Sequence, residues 1–275
     1  LPPVLVAPLR AEEGEVTALQ NSIWSEGRAG ADLLVEAASG HETTVAFAAF
    51  LLERLLAALA SAEATKPRRY YFRGSGSGRK GLENPGKQAG SGASSSGDGL
   101  KTAKLQSIVL TKNRDIAASV TDAINRLGKD IPNLSVATLI GGVPVADNAK
   151  TLEGGCHIAV GTPGRVKFLI DKGVLLPETA RTLVLESADW LIAPVFLEDV
   201  GYIVGKFPEE KQVVTNSTVE ASTIEEGLCA LLGVPALKRL DASGAVQESR
   251  VRWPSAIPIN DDGDDGSRGS RSRSG

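Results

Sequence analysis

The residues best able to do chemistry lie in short polar segments that follow apolar runs. The first is EAASGHETT, residues 36–44. A loop of the form GxxxxGK[ST] cradles phosphate with backbone amides, reaches the terminal oxygens with its lysine and holds magnesium with its hydroxyl. Residues 36–44 offer Ser39, Gly40, Thr43 and Thr44 for such work but do not match that form by themselves. Further along come KNRDIA (112–117), the pair Gly141–Gly142, TPGR (162–165) and LESAD (185–189). Backbone amides, hydroxyls and arginines are the groups that grip phosphates without reading bases. Thiol and metal chemistry is poorly supplied. Cys156 and Cys229 sit in apolar surroundings and read as reduced core residues, and with only His41 and His157 as imidazoles no zinc site is expected.

These segments need elements to position them. Apolar runs at 32–37, 106–111, 135–140, 156–160, 181–186, 211–216 and 236–241 read as strands, most without polar alternation, as for strands covered on both faces. Between them, 43–62, 115–127, 164–172, 191–205 and 219–232 carry helical patterns. This alternation predicts an α/β fold with a mainly parallel sheet and helices on both faces. In such a sheet ligands bind at the carboxyl ends of the strands, where the polar segments fall.

The packed domain is expected to comprise 1–64 and 105–241, about 200 residues and one domain by size. Residues 65–104, rich in Gly and Ser, read as one long basic flexible insertion, and 242–275 as an extended or disordered tail ending in DDGDDGSRGSRSRSG. The net charge of −3 hides an asymmetry. Between Lys66 and Lys104 nine basic residues face two acidic ones, which leaves +7 there and −10 on the remainder. No apolar run is expected to span a bilayer, since the longest, Val45 to Ala60, is broken by Glu53 and Arg54. The chain starts at Leu1 and has no methionine, as expected of a processed mature form, an excised domain or part of something longer. The sequence does not fix a compartment; an intracellular, mitochondrial or other organellar matrix location is compatible with the missing methionine.

In order, the segments resemble the motif series of the DEAD-box RNA helicases. TALQ (17–20) looks like the Q motif, Asp32 to Phe47 like motif I, KNRDIA like PTRELA, Gly141–Gly142 like the GG motif, and TPGR is intact. LESAD occupies the place of the DEAD tetrapeptide, and 198–219 leads into the place of SAT. The resemblance covers residues 17–219 and implies the first RecA-like domain of such a helicase: a three-layer fold of the P-loop NTPase type. The motifs of a second helicase domain are absent from this chain.

It further implies an ATP site at Gln20, Ser39, Gly40, His41, Glu42, Thr43 and Thr44, with Gln20 reading adenine. Magnesium falls to Thr44 and Glu186, and RNA contacts to Arg114, Gly141, Gly142, Thr162, Pro163, Gly164 and Arg165. The sequence departs from the family on the nucleotide side. Glu42 replaces a glycine and Thr43 the lysine, Glu186 replaces the first Asp of DEAD, and Ser187 replaces the Glu that works on the attacking water. At the SAT position Ser217-Thr218-Val219 leaves the threonine missing. Plainer roles stand beside these: TPGR and the glycines as turns, Arg114 as a partner of Asp115, and Gln20 as a cap. The expectation is an ATPase-impaired protein, binding ATP and Mg weakly or not at all. It would act as an RNA-binding or structural component of a ribonucleoprotein, ribosome-associated ones included, with protein partners, no membrane and no DNA specificity. The alternative is an active ATP-dependent RNA helicase seen as a fragment.

Overall fold

A computed structural model describes residues 2–64 and 103–247. The chain runs through α1 (Pro3–Glu13), α2 (Ala18–Arg28), β1 (Leu33–Glu36), α3 (His41–Ala64), β2 (Ser107–Thr111), α4 (Arg114–Leu127), β3 (Val136–Leu139) and α5 (Val145–Leu152). It continues through β4 (Ile158–Gly161), α6 (Pro163–Asp171), β5 (Thr182–Glu186), α7 (Ala188–Leu191), α8 (Pro194–Val204), β6 (Gln212–Ser217), α9 (Ala221–Leu232), β7 (Lys238–Leu240) and β8 (Val246–Gln247). The strands form one sheet in the order β3-β4-β2-β5-β6-β1-β7-β8, with every pairing parallel except β7–β8.

Alternating residues of the central strands feed two cores. Ile108, Leu110, Leu183 and Leu185 pack with Val166 and Leu169 of α6, Ile203 of α8 and Leu228 of α9. Val109, Val160, Val184 and Val214 pack on the other side with Ile23 of α2, Phe47 and Leu51 of α3, and Val120 and Ile124 of α4. Burial on both faces is why these strands read as unbroken apolar runs. The fold is the expected three-layer α/β arrangement.

The structure corrects several boundaries. The helix expected at 191–205 is α8, which opens at Pro194, while Leu191 ends the separate short α7, which Pro194 cannot continue. Helix α1 was not anticipated: Pro3 and Pro8 both fall within it, yet Leu5 and Leu9 bury on the α3–α4 side. Ala103 bridges to Gly155, so packing resumes before 105; the rest of the expected insertion, 65–102, lies outside the described residues. Residues 242–247, assigned to the tail, instead form a turn and β8, while 248–275 lie outside the described residues. The expectation about apolar length is also corrected. By length and composition His41–Ser61 of α3 is long and apolar enough to cross a membrane, with mean hydropathy 1.7. Here its buried face, Val45 to Leu52 and Leu55, serves as core.

The carboxyl ends of the strands are held in line by the ladder, which pairs Glu36 with Ser217, Thr111 with Glu186, and Leu139 with Gly161. Gly161 is essential to this packing. A Cβ there would stand 2.2 Å from the Leu139 carbonyl oxygen and 2.9 Å from Val166 Cγ2. Gly161→Ala is therefore expected to destabilise the domain by about 1–3 kcal/mol or more, read as a lower urea midpoint at unchanged m-value.

Candidate functional site

The loop after β1 closes on itself. The Thr43 hydroxyl, almost fully buried at the start of α3, accepts the Gly40 amide at 3.1 Å. It shares its proton between the carbonyl oxygens of Ala38 (3.2 Å) and Gly40 (3.1 Å). A lysine here would extend a charge out of the loop; threonine turns inward and takes the donor that a phosphate oxygen would otherwise receive. Glu42 accepts a hydrogen bond from the Thr17 hydroxyl. Thr17 also caps α2, accepting the Gln20 amide at 3.2 Å, while Gln20 Oε1 receives the Thr17 amide at 3.0 Å. Gln20, expected to read adenine, is thus the capping-box partner of Thr17 and is 0% exposed. His41 is exposed and Thr44 half-buried at the first turn of α3.

A buried polar cluster joins this loop to the ends of β5 and β6. Ser39 Oγ donates to Glu186 Oε2 at 2.5 Å and lies 2.5 Å from Ser187 Oγ. Ser187 Oγ also reaches Glu186 Oε2 at 3.2 Å. Asn216 accepts the Ser187 amide at 2.9 Å and directs its amide group to the Ala37 carbonyl (3.2 Å) and Ser39 Oγ (3.3 Å). Ser187 is left-handed, with φ 70°, a conformation costly for serine, and the Asn216 bond holds it there. Glu186 is 0% exposed and its Oε1 has no partner. Burial pushes its carboxyl above the ordinary 4.5, opposed by the Ser39 and Ser187 hydroxyls and by the charge of Lys112. Lys112 lies over the Trp190 ring, 5.4 Å from its centroid.

Beside this cluster, Thr218 Oγ1 donates to Asp189 Oδ2 at 2.9 Å. Sequence reasoning missed Asn216 and Thr218; an asparagine inside the buried strand QVVTNS was the available signal.

As arranged, Thr44 and Glu186 do not suit magnesium, which takes an open octahedron of oxygens with one or two accessible carboxylates. Glu186 is enclosed and its Oε2 already receives hydroxyls, and no cluster of three or more His, Cys, Asp or Glu that could hold a metal occurs among the described residues.

The residues expected to meet RNA gather at the β3–β4 end of the sheet and divide into two kinds. Arg114, exposed at the start of α4, lies over the glycine pair and makes no hydrogen bond or ion pair among the described residues, not even with Asp115. Gly142 has φ +87°, a conformation that favours glycine, and Arg114 Nη1 lies 2.7 Å from where a Cβ would stand. Arg165 is instead spent internally: Nη1 donates to Asn148 Oδ1 at 3.0 Å and Nη2 to the Val143 carbonyl at 2.7 Å. Pro163 is buried, while Gly164 is exposed. Gly141, Thr162, Gly164 and Arg165 share an open cavity of about 510 Å³ with Phe168 and Asp199.

A family model described as DEAD/DEAH box helicase matches residues 17–226. The chain is 27% identical over 218 residues to a probable ATP-dependent RNA helicase of Mus musculus, covering 79% of this chain and 21% of the relative. It is 35% identical over 133 residues to the RNA helicase CrhR of Synechocystis sp., covering 48% and 27%. Among solved structures, a hypothetical ATP-dependent RNA helicase from Sulfolobus tokodaii superposes with TM-score 0.63 at 18% identity, over 88% of this chain and 57% of that one. A DEAD box protein from Methanococcus jannaschii gives 0.64 at 22%, over 88% and 54%. The chain spans about a fifth to a quarter of the length of these curated relatives.

The Glu186 shift gives a test with a definite sign. A carboxyl raised above 4.5 by burial costs stability once ionised, so its contribution is absent below that pH and destabilising as pH rises through the folded-state value. Glu186→Gln is expected to raise the melting temperature at neutral pH and to flatten its fall from about pH 4.5 upward. An unchanged pH slope would reject that account of the buried carboxyl.

Proposed function

Because this chain belongs to the DEAD/DEAH box helicase family, we propose that it is a DEAD-box domain with impaired ATP hydrolysis, acting as an RNA-binding or structural component of a ribonucleoprotein. The observation that carries this reading is the Thr43 hydroxyl on the Gly40 amide. It places a neutral side chain where the family's lysine supplies charge, and Glu42 adds a carboxylate beside the same loop. Ser187, buried and bonded to Ser39 and Glu186, supplies no base of the kind a glutamate would.

Support for RNA is strongest at Arg114. A guanidinium over two glycines, unpaired among the described residues, can meet a backbone phosphate directly, whereas Arg165 already holds α5 and the glycine loop in place. The rival reading is an ATP-dependent RNA helicase of which this chain is one part. The Thr218–Asp189 bond favours it, since it keeps a threonine hydroxyl on the segment that takes the place of SAT joined to the one that takes the place of DEAD.

Titration of the full chain with magnesium–ATP, alone and with RNA, separates the two. No saturable binding and no RNA-stimulated hydrolysis are expected, and Glu42→Gly with Thr43→Lys should bring saturable binding into the measured range by restoring a charge-assisted phosphate contact. RNA-stimulated turnover by the unaltered chain would sink the impaired reading. Arg114→Ala should weaken RNA binding and lower its salt slope by about 1, whereas Arg165→Ala should chiefly lower stability.

A further inference from the structure

The opposite end of the sheet carries a second set of phosphate-gripping groups. Below the amino ends of β2 and β5 lies a cavity of about 230 Å³, lined by Arg54, Gln106, Ser107, Arg181 and Thr182 together with small residues of α3. No carboxylate lines it among the described residues. Arg54 makes no hydrogen bond or ion pair among the described residues, since its neighbour Glu53 pairs with Arg28 at 2.7 Å. Arg181 Nη1 donates to the carbonyls of Glu178 and Ala180, each at 3.1 Å, which fixes its guanidinium.

Ser107 and Thr182 are paired neighbours on adjacent strands. By alternation they point to the same side as Val109 and Val184, the side covered by α3. Both are buried, at 1% and 2% exposure, and Ser107 Oγ has no hydrogen-bond partner. A buried hydroxyl without a partner calls for one, and Ser107 belongs to the wall of a cavity that also carries two guanidinium groups.

We propose that this cavity binds a phosphate group, either as inorganic phosphate or as the terminal phosphomonoester of a larger molecule. Two guanidinium forks match tetrahedral oxyanions in geometry and charge. The volume lies below the range of pockets for drug-sized ligands and suits one phosphate with a short attachment. The site is distinct from the loop after β1. Ser107 and Thr182 open the strands whose far ends are Thr111 and Glu186, roughly 13 Å away at the rise of a strand. It is therefore independent of whether ATP binds.

Equilibrium dialysis of the full chain against labelled inorganic phosphate, in chloride at matched ionic strength, tests the site. One saturable equivalent per chain is expected. Affinity should fall tenfold or more in Arg54→Gln, which removes a charge from the helix without touching the strands, and by less in Ser107→Ala. Competition by a 5′-phosphorylated oligonucleotide, but not by its 5′-hydroxyl counterpart, assigns the phosphate to a terminal monoester; competition by neither assigns it to the free ion. Absence of saturable binding by every probe, or binding undiminished in Arg54→Gln with an unchanged near-ultraviolet spectrum, overturns the proposal.

Discussion

Backbone amides at the end of a parallel strand must find acceptors, and after β1 the acceptor of Gly40 is a side chain of the same loop. In a phosphate-binding loop those amides are kept for the ligand. Here Thr43 fills that place, and the surrounding arrangement follows. Ser39 turns to Glu186 and Ser187, Glu42 turns to Thr17, and Thr17 holds Gln20 in the cap of α2. The loop is anchored on both sides by protein groups.

The second anchor is the Glu186 carboxylate. A charge removed from water is tolerated only with donors around it. Ser39 and Ser187 supply them, Lys112 contributes from β2's end, and Asn216 locks Ser187 in its left-handed conformation. Asn216 also reaches back to the β1 loop, so one asparagine ties β6, β5 and the loop together. The Thr218–Asp189 bond next to it keeps the ends of β6 and α7 in contact.

Much of the architecture was legible because strands buried on both faces cannot alternate, and the central ones announce themselves as apolar runs. Legibility failed where proline misleads or packing decides. Pro3 and Pro8 fall inside α1, which forms because Leu5 and Leu9 bury, and Pro194 opens α8 later than the start of the helix expected at 191–205. In the site, residue type alone exposed the departures at Glu42, Thr43 and Ser187. Their partners were not legible, since Thr17–Glu42, Ser39–Glu186 and Ser187–Asn216 are side-chain contacts between distant segments that no local period encodes. The same limit hid the roles of the arginines: Arg114 and Arg165 look alike in sequence, yet the first has no partner among the described residues and the second braces Asn148 and Val143.

The central claim is that the Gly40 amide of the loop after β1 is satisfied by the Thr43 side chain and is not offered to a phosphate. The most direct measurement is the backbone amide resonance of Gly40 in the labelled chain during titration with millimolar magnesium–ATP. The account predicts that the Gly40 resonance does not move, because its proton stays on the Thr43 hydroxyl. A saturable shift at Gly40 that vanishes on omitting the nucleotide would contradict it.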